Sequence, residues 1–272
     1  MKKLIALLLA LTMLVAFAGC NNTKPVDTKP VDTKPVETQP VETQPIETQP
    51  VETEPTVPVM TYEEYAAAAM DTEVIVEAYV AAIESWWNDA IQVYALCEEG
   101  GYYIYNLNCT QEEAEKFVPG TKVRFTGFKG EWAGEVEIMD AKFEILEGEA
   151  KTFTADDVTA LMGTDELATR MNDLVAIKGL TVAASKDANG NDVAYLYKWD
   201  GSGKQGDDLY FNVTLGEQTY TFTVNAYMIG TGADSEVYKT IEGLKIGDVI
   251  DVEGFLYWYN SAQPHITSVT VH

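Results

Sequence analysis

The chain has few histidines, few cysteines and few basic residues. Its 272 residues include two histidines, three cysteines, and 18 lysines and arginines against 43 aspartates and glutamates, for a formal net charge of −25. The two histidines, His265 and the terminal His272, are too few for most histidine-based catalytic triads and zinc sites. The negative charge repels phosphodiester backbones, so the composition disfavours nucleic acid as a partner.

The apolar run at the start of the chain, residues 4–18, is too short to span a membrane as a helix. Lys2 and Lys3 precede this run. A short basic segment followed by a short apolar one is typical of an export signal. The sequence therefore predicts a signal peptide over residues 1–19.

The end of the apolar run, 17-FAGC-20, resembles the lipobox of bacterial lipoproteins. That family usually has Leu, Val or Ile where Phe17 stands. The resemblance implies that Cys20 is the lipid attachment site, that this N-terminal lipid anchors the protein to the cell membrane, and that the protein is extracytoplasmic. Ordinary secretion with cleavage near Ala18 is the alternative.

A low-complexity tract built on pentapeptides such as TKPVD and TQPVE covers residues 23–58. Proline recurs at every fifth position from Pro25 to Pro55, and this spacing blocks both helices and sheets. The tract contains almost nothing to bury, so it is predicted to be a disordered Pro-rich tether. The lipid anchor and tether together are assigned to residues 20–60.

The two cysteines outside the lipobox, Cys97 and Cys109, lie at opposite ends of a predicted hairpin. Strands over 90–97 and 102–107 would place them about 20 Å apart at about 3.3 Å per residue. A disulfide needs Cα atoms within about 7 Å of each other. The sequence therefore predicts two reduced, partly buried thiols.

The rest of the chain contains two copies of one pattern, because 118-VPGTKVRFTGF-128 aligns with 245-KIGDVIDVEGF-255. Each copy is predicted to have five strands, a short helix between the third and fourth strands, and a leading helix before the first strand. The copies define two domains, residues 61–150 and 151–272. The predicted helices are 61–70, 110–118, 154–171 and 234–244.

This order of strands, with two glycines seven positions apart around alternating apolar residues, resembles the OB-fold, in particular its anticodon-binding-like branch. The residues that carry the resemblance are Gly120, Val123, Phe125 and Gly127 in the first copy and Gly247, Ile250, Val252 and Gly254 in the second. The resemblance covers residues 72–146 and 173–271. It implies a mainly β chain with two tandem five-stranded OB-like β-barrels after the tether. Another small β-barrel or a β-sandwich is the alternative.

OB-folds bind polymers on one face, which is bordered by the loops between strands 1 and 2 and between strands 4 and 5. On the predicted assignment these loops cover 85–89 and 129–135 in the first copy and 185–208 and 256–264 in the second. They are rich in large aromatic residues. The candidate ligand-binding residues are Trp86, Trp87, Trp132, Trp199, Tyr257, Trp258 and Tyr259. The alternative is that the tryptophans close the mouths of the barrels by packing.

The predicted binding faces lack an evident basic groove. The first copy offers Lys122, Arg124 and Lys129 near strands 4 and 5, and the strand face of the second copy is neutral, with Asn212, Thr214, Thr221 and Thr223. Aromatic rings beside hydroxyl and amide groups suit sugar rings or an uncharged or basic protein surface. The sequence therefore predicts a surface-displayed, non-catalytic binding module for cell-envelope polysaccharide or a protein partner. Single-stranded nucleic-acid binding and a role as an accessory domain of a hydrolase are the alternatives.

Catalysis, metal binding and cofactors have little support in the sequence. Glu131 and Glu135 could act as paired carboxylates, but glutamates four positions apart are expected in so acidic a chain. The run 187-DANGND-192 has oxygen ligands, but it lacks the glycine position and the final glutamate of a calcium loop. We therefore expect no enzyme activity, no metal and no cofactor, and we expect Asn189-Gly190 to form a tight turn.

Overall fold

The computed structural model of the chain describes residues 58–272. The predicted signal peptide, the lipid attachment site Cys20 and nearly all of the predicted tether lie outside these residues. Within the described part of the chain, no helix is both long enough and apolar enough to cross a membrane.

The first half of the described residues forms a closed five-stranded barrel. Its strands neighbour one another in the order β1-β2-β3-β5-β4, and β4 pairs with β1 to close the barrel. A short helix, α1, precedes the barrel, and another, α2, lies between the third and fourth strands. The elements are α1 (Tyr62–Ala67), β1 (Glu73–Ile83), β2 (Ala90–Leu96), β3 (Gly101–Asn108), α2 (Gln111–Ala114), β4 (Lys122–Trp132) and β5 (Glu135–Ile145). Apolar residues at alternate positions of β1 point into the barrel, since Val74, Val76, Ala78 and Val80 are all buried.

The second half repeats the same strand order. Strands β7, β11, β12, β14 and β13 form the barrel, and β7 pairs with both β11 and β13, which closes the ring. The elements are β6 (Asp156–Asp157), β7 (Leu174–Ala183), β8 (Ser185–Lys186), β9 (Asp192–Val193), β10 (Leu196–Tyr197), β11 (Leu209–Leu215), β12 (Gln218–Val224), α3 (Glu236–Gly243), β13 (Val249–Phe255) and β14 (His265–Val271). The predicted mainly β fold with two tandem OB-like barrels is confirmed.

The repeated glycines have the same two roles in both barrels. Gly120 and Gly247 precede the fourth strand with φ angles of 93° and 95°, a conformation that glycine adopts without strain. Gly127 and Gly254 lie where the fourth strand bulges against the fifth. A Cβ at Gly127 would lie 2.6 Å from the Met139 carbonyl oxygen, so no larger residue fits there.

Three of the four predicted helices form, and the leading helix of the second half does not. The segment 154–171 instead contains the short strand β6, which pairs with β7, and two 3₁₀ turns, Thr159–Leu161 and Asp165–Arg170. Gly163, with a φ angle of 79°, separates the two turns and prevents a continuous helix. The predicted helix over 110–118 is also shorter than expected, although its capping box of Thr110 and Glu113 forms.

Three basic residues of the first barrel, Lys122, Arg124 and Lys129, are engaged within the protein. Lys129 is 4% exposed, and its Nζ donates to the carbonyl oxygens of Tyr65, Ala66 and Ala68 at the end of α1. Lys122 and Arg124 both pair with Glu77. These three cations cap a helix or form ion pairs, which agrees with the absence of an evident basic groove in the sequence.

The two barrels pack against each other through an apolar contact that we call the interface cluster: Tyr94, Leu96, Tyr103, Met228 and Phe255. Tyr94 of β2 stacks on Phe255 at the end of β13, with ring centroids 4.3 Å apart. The Tyr94 hydroxyl is also hydrogen-bonded to His265 Nδ1 at 3.0 Å. The described residues, 58–272, accordingly lie within one compact unit that contains both barrels.

Candidate ligand-binding groove

A groove of about 800 Å³ lies between the two barrels, over the outer face of β11 and β12. This is the face that OB-folds use for ligands, bordered by the loops after the first and fourth strands. In the second barrel those loops are residues 184–208 and 256–264, and both reach the groove. The first barrel contributes Glu84, Tyr103 and Trp132. The groove therefore belongs to both halves of the chain.

Four of the seven predicted ligand-binding residues line this groove: Trp132, Trp199, Tyr257 and Tyr259. Trp132 ends β4, and its ring centroid lies 5.3 Å from that of Tyr259. Trp199 is 69% exposed. Tyr257 is held more firmly, because its ring stacks on His265 with centroids 4.4 Å apart. The rim thus combines free aromatic faces with one fixed ring.

A direct contact between two turns brings these rings together. The connection between β4 and β5 is only Ala133-Gly134, with φ angles of 52° and 89°, so the segment predicted as a loop is a tight hairpin. The Ala133 carbonyl accepts a hydrogen bond from the backbone N–H of Asn260. The corresponding loops of the two barrels therefore meet at the groove rim.

The floor of the groove is polar and uncharged. Tyr210 and Asn212 of β11 pair in register with Thr223 and Thr221 of β12, which places their side chains on one face. Asn212 accepts a hydrogen bond from the Thr221 hydroxyl at 2.8 Å. The buried Thr223 hydroxyl has no hydrogen-bond partner among the described residues. A hydroxyl buried without a partner costs free energy, so the floor is less stable at Thr223 than at the hydrogen-bonded Thr221.

Two carboxylates and one lysine line the groove. Burial raises the pKa of Glu84 and of Asp208 above their usual range. Glu84 accepts hydrogen bonds from Asn225 Nδ2 (2.7 Å) and Gln92 Nε2 (3.1 Å), and Asp208 accepts one from the Ala226 backbone. Lys186, the one cation in the lining of this groove, is paired with Asp192 at 2.7 Å. The groove therefore offers no unpaired positive charge for an anionic ligand.

The other three predicted residues lie elsewhere. Trp258 is half-buried and packs on the core of the second barrel, and a Cβ at Gly134 would lie 2.9 Å from its ring. Trp86 is half-buried against the core of the first barrel, and its Nε1 donates to the Cys109 carbonyl at 2.8 Å. Trp87 is 81% exposed. Of the two adjacent tryptophans, Trp86 therefore packs on the barrel core, whereas Trp87 faces solvent.

Several lining residues were not predicted from the sequence: Tyr103, Asn225 and Gln263 are examples. Tyr103 lies on β3 of the first barrel, and no sequence pattern indicates that it faces the second barrel. Asn225 follows β12, and its side chain bonds across the barrel junction to Glu84. A search for polar residues just after the third strand could have found Asn225, but not its partner.

Residues considered for catalysis or metal binding are not assembled into such sites. Glu135 is fully buried whereas Glu131 is exposed on the preceding strand, so the two carboxylates are not a facing pair. Asp187 accepts hydrogen bonds from the backbone N–H groups of Asn189 and Asn191, which forms the expected turn. Among the described residues, no group of three or more metal-ligating side chains occurs. Cys97 and Cys109 are free, as predicted.

No protein-family model and no curated protein matches the sequence. Solved structures with a related arrangement include a murine DNA-binding protein bound to double-stranded DNA (11% identity, TM-score 0.31), of which 97% is covered by 72% of this chain. A replication protein A heterotrimer bound to single-stranded DNA has 11% identity and a TM-score of 0.34, with 79% of this chain covering 51% of that one. A single-stranded DNA-binding protein from Thermus aquaticus has 13% identity and a TM-score of 0.25, with 74% of this chain covering 93% of that one. Similarity this low carries no argument about function.

Proposed function

We propose that this protein is a non-catalytic binding module that recognises a neutral cell-envelope glycan in the groove between its barrels. The observation that carries the proposal is the combination of exposed aromatic rings with an uncharged hydroxyl and amide floor. The rings of Trp132, Trp199 and Tyr259 offer apolar faces to the C–H faces of sugars, whose hydroxyls need donors and acceptors nearby. Tyr210, Asn212 and Thr221, which are at least partly exposed on the floor, supply such groups.

The electrostatics of the groove favour a neutral ligand over a nucleic acid. Aromatic rings also stack on bases, and proteins that bind single strands combine this stacking with a positively charged path for the phosphates. Here Lys186 is paired, and the groove carries the carboxyl groups of Glu84 and Asp208. Bringing phosphates beside them adds repulsion to that of the overall charge of −25.

Alanine substitution of the exposed rings tests the proposed function. We expect Trp199→Ala and Trp132→Ala each to weaken binding of neutral cell-wall glycan fragments by about tenfold or more, since each removes a stacking surface worth about 1.4 kcal/mol or more. Isothermal titration of the full chain measures the affinities. Phe128→Ala is the control, because Phe128 is an exposed ring outside the groove.

The same titration with single-stranded DNA at low salt separates the competing function. Salt-sensitive DNA binding that is lost in Trp199→Ala, with no glycan binding, would replace the proposal by nucleic-acid recognition. Glycan binding that survives both tryptophan substitutions would move the site away from the groove.

The second part of the proposal is that a lipid on Cys20 anchors the protein outside the cytoplasm, which the lipobox-like 17-FAGC-20 supports. Several acyl chains on one cysteine give stable membrane binding at about 0.8 kcal/mol per buried methylene. We expect Cys20→Ser to move the protein from the membrane fraction to the soluble fraction in cell fractionation with immunoblotting. A Ser variant that stays in the membrane fraction would refute lipid anchoring at this residue.

A further inference from the structure

A second cavity, of about 540 Å³, adjoins the groove on the far side of Glu84. Its lining includes Trp86 and Trp87 from the connection between β1 and β2, and Tyr227 from the segment after β12. Like the groove, it is therefore built from both barrels.

The two parts of this cavity are held together by backbone hydrogen bonds between the barrels. The Ser85 N–H donates to the Tyr227 carbonyl at 2.7 Å, and the Ile229 N–H donates to the Ile83 carbonyl at 2.9 Å. Two residues in the left-handed conformation, Asn88 and Asp89, form the turn that presents Trp87. The rings of Trp87 and Tyr227 thus have a fixed base even though both are exposed.

The rings of Trp87 and Tyr227 are both exposed to solvent beside the same cavity. Trp87 is 81% and Tyr227 is 57% exposed, so neither ring contributes much to the core. Large apolar side chains that remain in solvent around one cavity mark interaction sites more often than single scattered ones do. The neighbouring lining residues Asn88, Gln92 and Asn106 have amide side chains, and no cation lines the cavity. Its chemistry matches that of the groove.

Glu84 is the residue that joins the two spaces. It lines both of them, and its carboxylate bonds to one amide on each side. Oε1 accepts from Asn225, which lines the groove, and Oε2 accepts from Gln92, which lines the second cavity. The wall between the spaces is thus a hydrogen-bonded polar junction of Asn225, Glu84 and Gln92 and not a layer of apolar packing.

We infer that the groove and the second cavity are successive subsites of one track, and that the ligand is an extended neutral polysaccharide chain that crosses the barrel junction beside Glu84. This inference rests on the proposed function. The groove holds one part of the polysaccharide on Trp132 and Trp199, and the second cavity holds a later part of the same polysaccharide on Trp87 and Tyr227. A mono- or disaccharide fills only one of the two spaces.

The dependence of affinity on chain length tests the track. The full-length protein is titrated calorimetrically with a disaccharide and an octasaccharide prepared from the same neutral cell-wall glycan. The readout is the affinity for the octasaccharide divided by the affinity for the disaccharide. We expect a ratio of at least about tenfold for the wild type, a ratio near one for Trp87→Ala, and restoration of most of the ratio in Trp87→Phe. Phe128→Ala should keep the wild-type ratio, whereas Trp199→Ala should weaken the binding of both sugars.

The possible failures are distinguishable. Equal affinity for both sugars, unaffected by Trp87→Ala but lost in Trp199→Ala, would overturn the track and leave the glycan-binding groove in place. Loss of binding to both sugars in Trp87→Ala would mean a single site around Trp87 and would also overturn the track. Absence of binding to any glycan by the wild type would refute both the proposed function and the track.

Discussion

Phe255→Ala is expected to lower the free energy of unfolding by about 3–5 kcal/mol, the usual cost of removing a fully buried phenylalanine ring. The Phe255 ring is 3% exposed and stacks on Tyr94 within the interface cluster. Its loss leaves a cavity at the junction of the barrels, next to the hydrogen bond between Tyr94 and His265. Because His265 in turn supports Tyr257 in the groove, we also expect weaker glycan binding. Urea denaturation followed by circular dichroism measures the stability.

The chain provides a matched control for this substitution. Phe128 occupies the position in the first barrel that aligns with Phe255, but it is 43% exposed. Phe128→Ala should therefore cost less than about 1 kcal/mol. If Phe255→Ala does not fold, Phe255→Leu should still cost a measurable amount of up to about 1.5 kcal/mol. Equal costs for the two alanine variants would contradict the packing of the barrels described above.

Glu135→Gln is expected to remove a large part of the dependence of stability on pH. Glu135 is fully buried. Its Oε2 accepts a hydrogen bond from the backbone N–H of Trp258 at 2.7 Å, and its Oε1 has no partner among the described residues. Burial raises the pKa of Glu135 to about 8 from an ordinary 4.5. The folded state therefore keeps a proton that the unfolded state loses, so this contribution to stability is full below pH 4.5 and is lost as pH rises toward 8.

The comparison is made by urea titration of both proteins at several pH values. Between about pH 5 and pH 7, the stability of the wild type should fall relative to Glu135→Gln by about 3 kcal/mol, since each pH unit contributes about 1.4 kcal/mol. Burial lowers the pKa of His265 to about 3, which has the opposite effect below pH 6.5, and burial raises the pKa of Glu137 to about 7. Both groups are present in both proteins, so their effects largely cancel in the difference.

Glu131→Gln is the control, because it makes the same chemical substitution at an exposed position on the neighbouring strand. Its stability should follow that of the wild type across the whole range. A wild-type curve parallel to that of Glu135→Gln would show that Glu135 is ionised in the folded protein, contrary to the raised pKa.

The barrels could be predicted from the sequence because the patterns that define their strands lie within short segments and occur twice. Alternating apolar residues define the inward face of β1, and a glycine before and within the fourth strand recurs in both copies. The close approach of Gly127 and Gly254 to the fifth strand explains why the pattern is the same twice. The leading helix predicted over 154–171 was wrong because pairing of β6 with β7 and the turn at Gly163 outweigh local helical preference.

The candidate site was predictable only in part. The segments after the first and fourth strands are rich in aromatic residues, and four of the seven candidate residues line the groove, although Trp132 lies at the end of β4 and not in a loop. The sequence could not separate Trp199, which is exposed at the rim, from Trp258, which packs on the core. These two tryptophans lie in corresponding parts of the second barrel but differ in exposure, because Trp258 packs on the barrel core and Trp199 does not.

The sequence alone determined that this chain holds two OB-like barrels with aromatic loops and an acidic surface, since strand periodicity, glycine positions and charge are properties of short segments. The tertiary structure alone decided how the two barrels meet. Phe128 and Phe255 are equivalent in the repeat, yet one faces solvent and the other is buried against Tyr94. Which of two equivalent surfaces is covered depends on contacts between residues more than a hundred positions apart, and these contacts also create the groove.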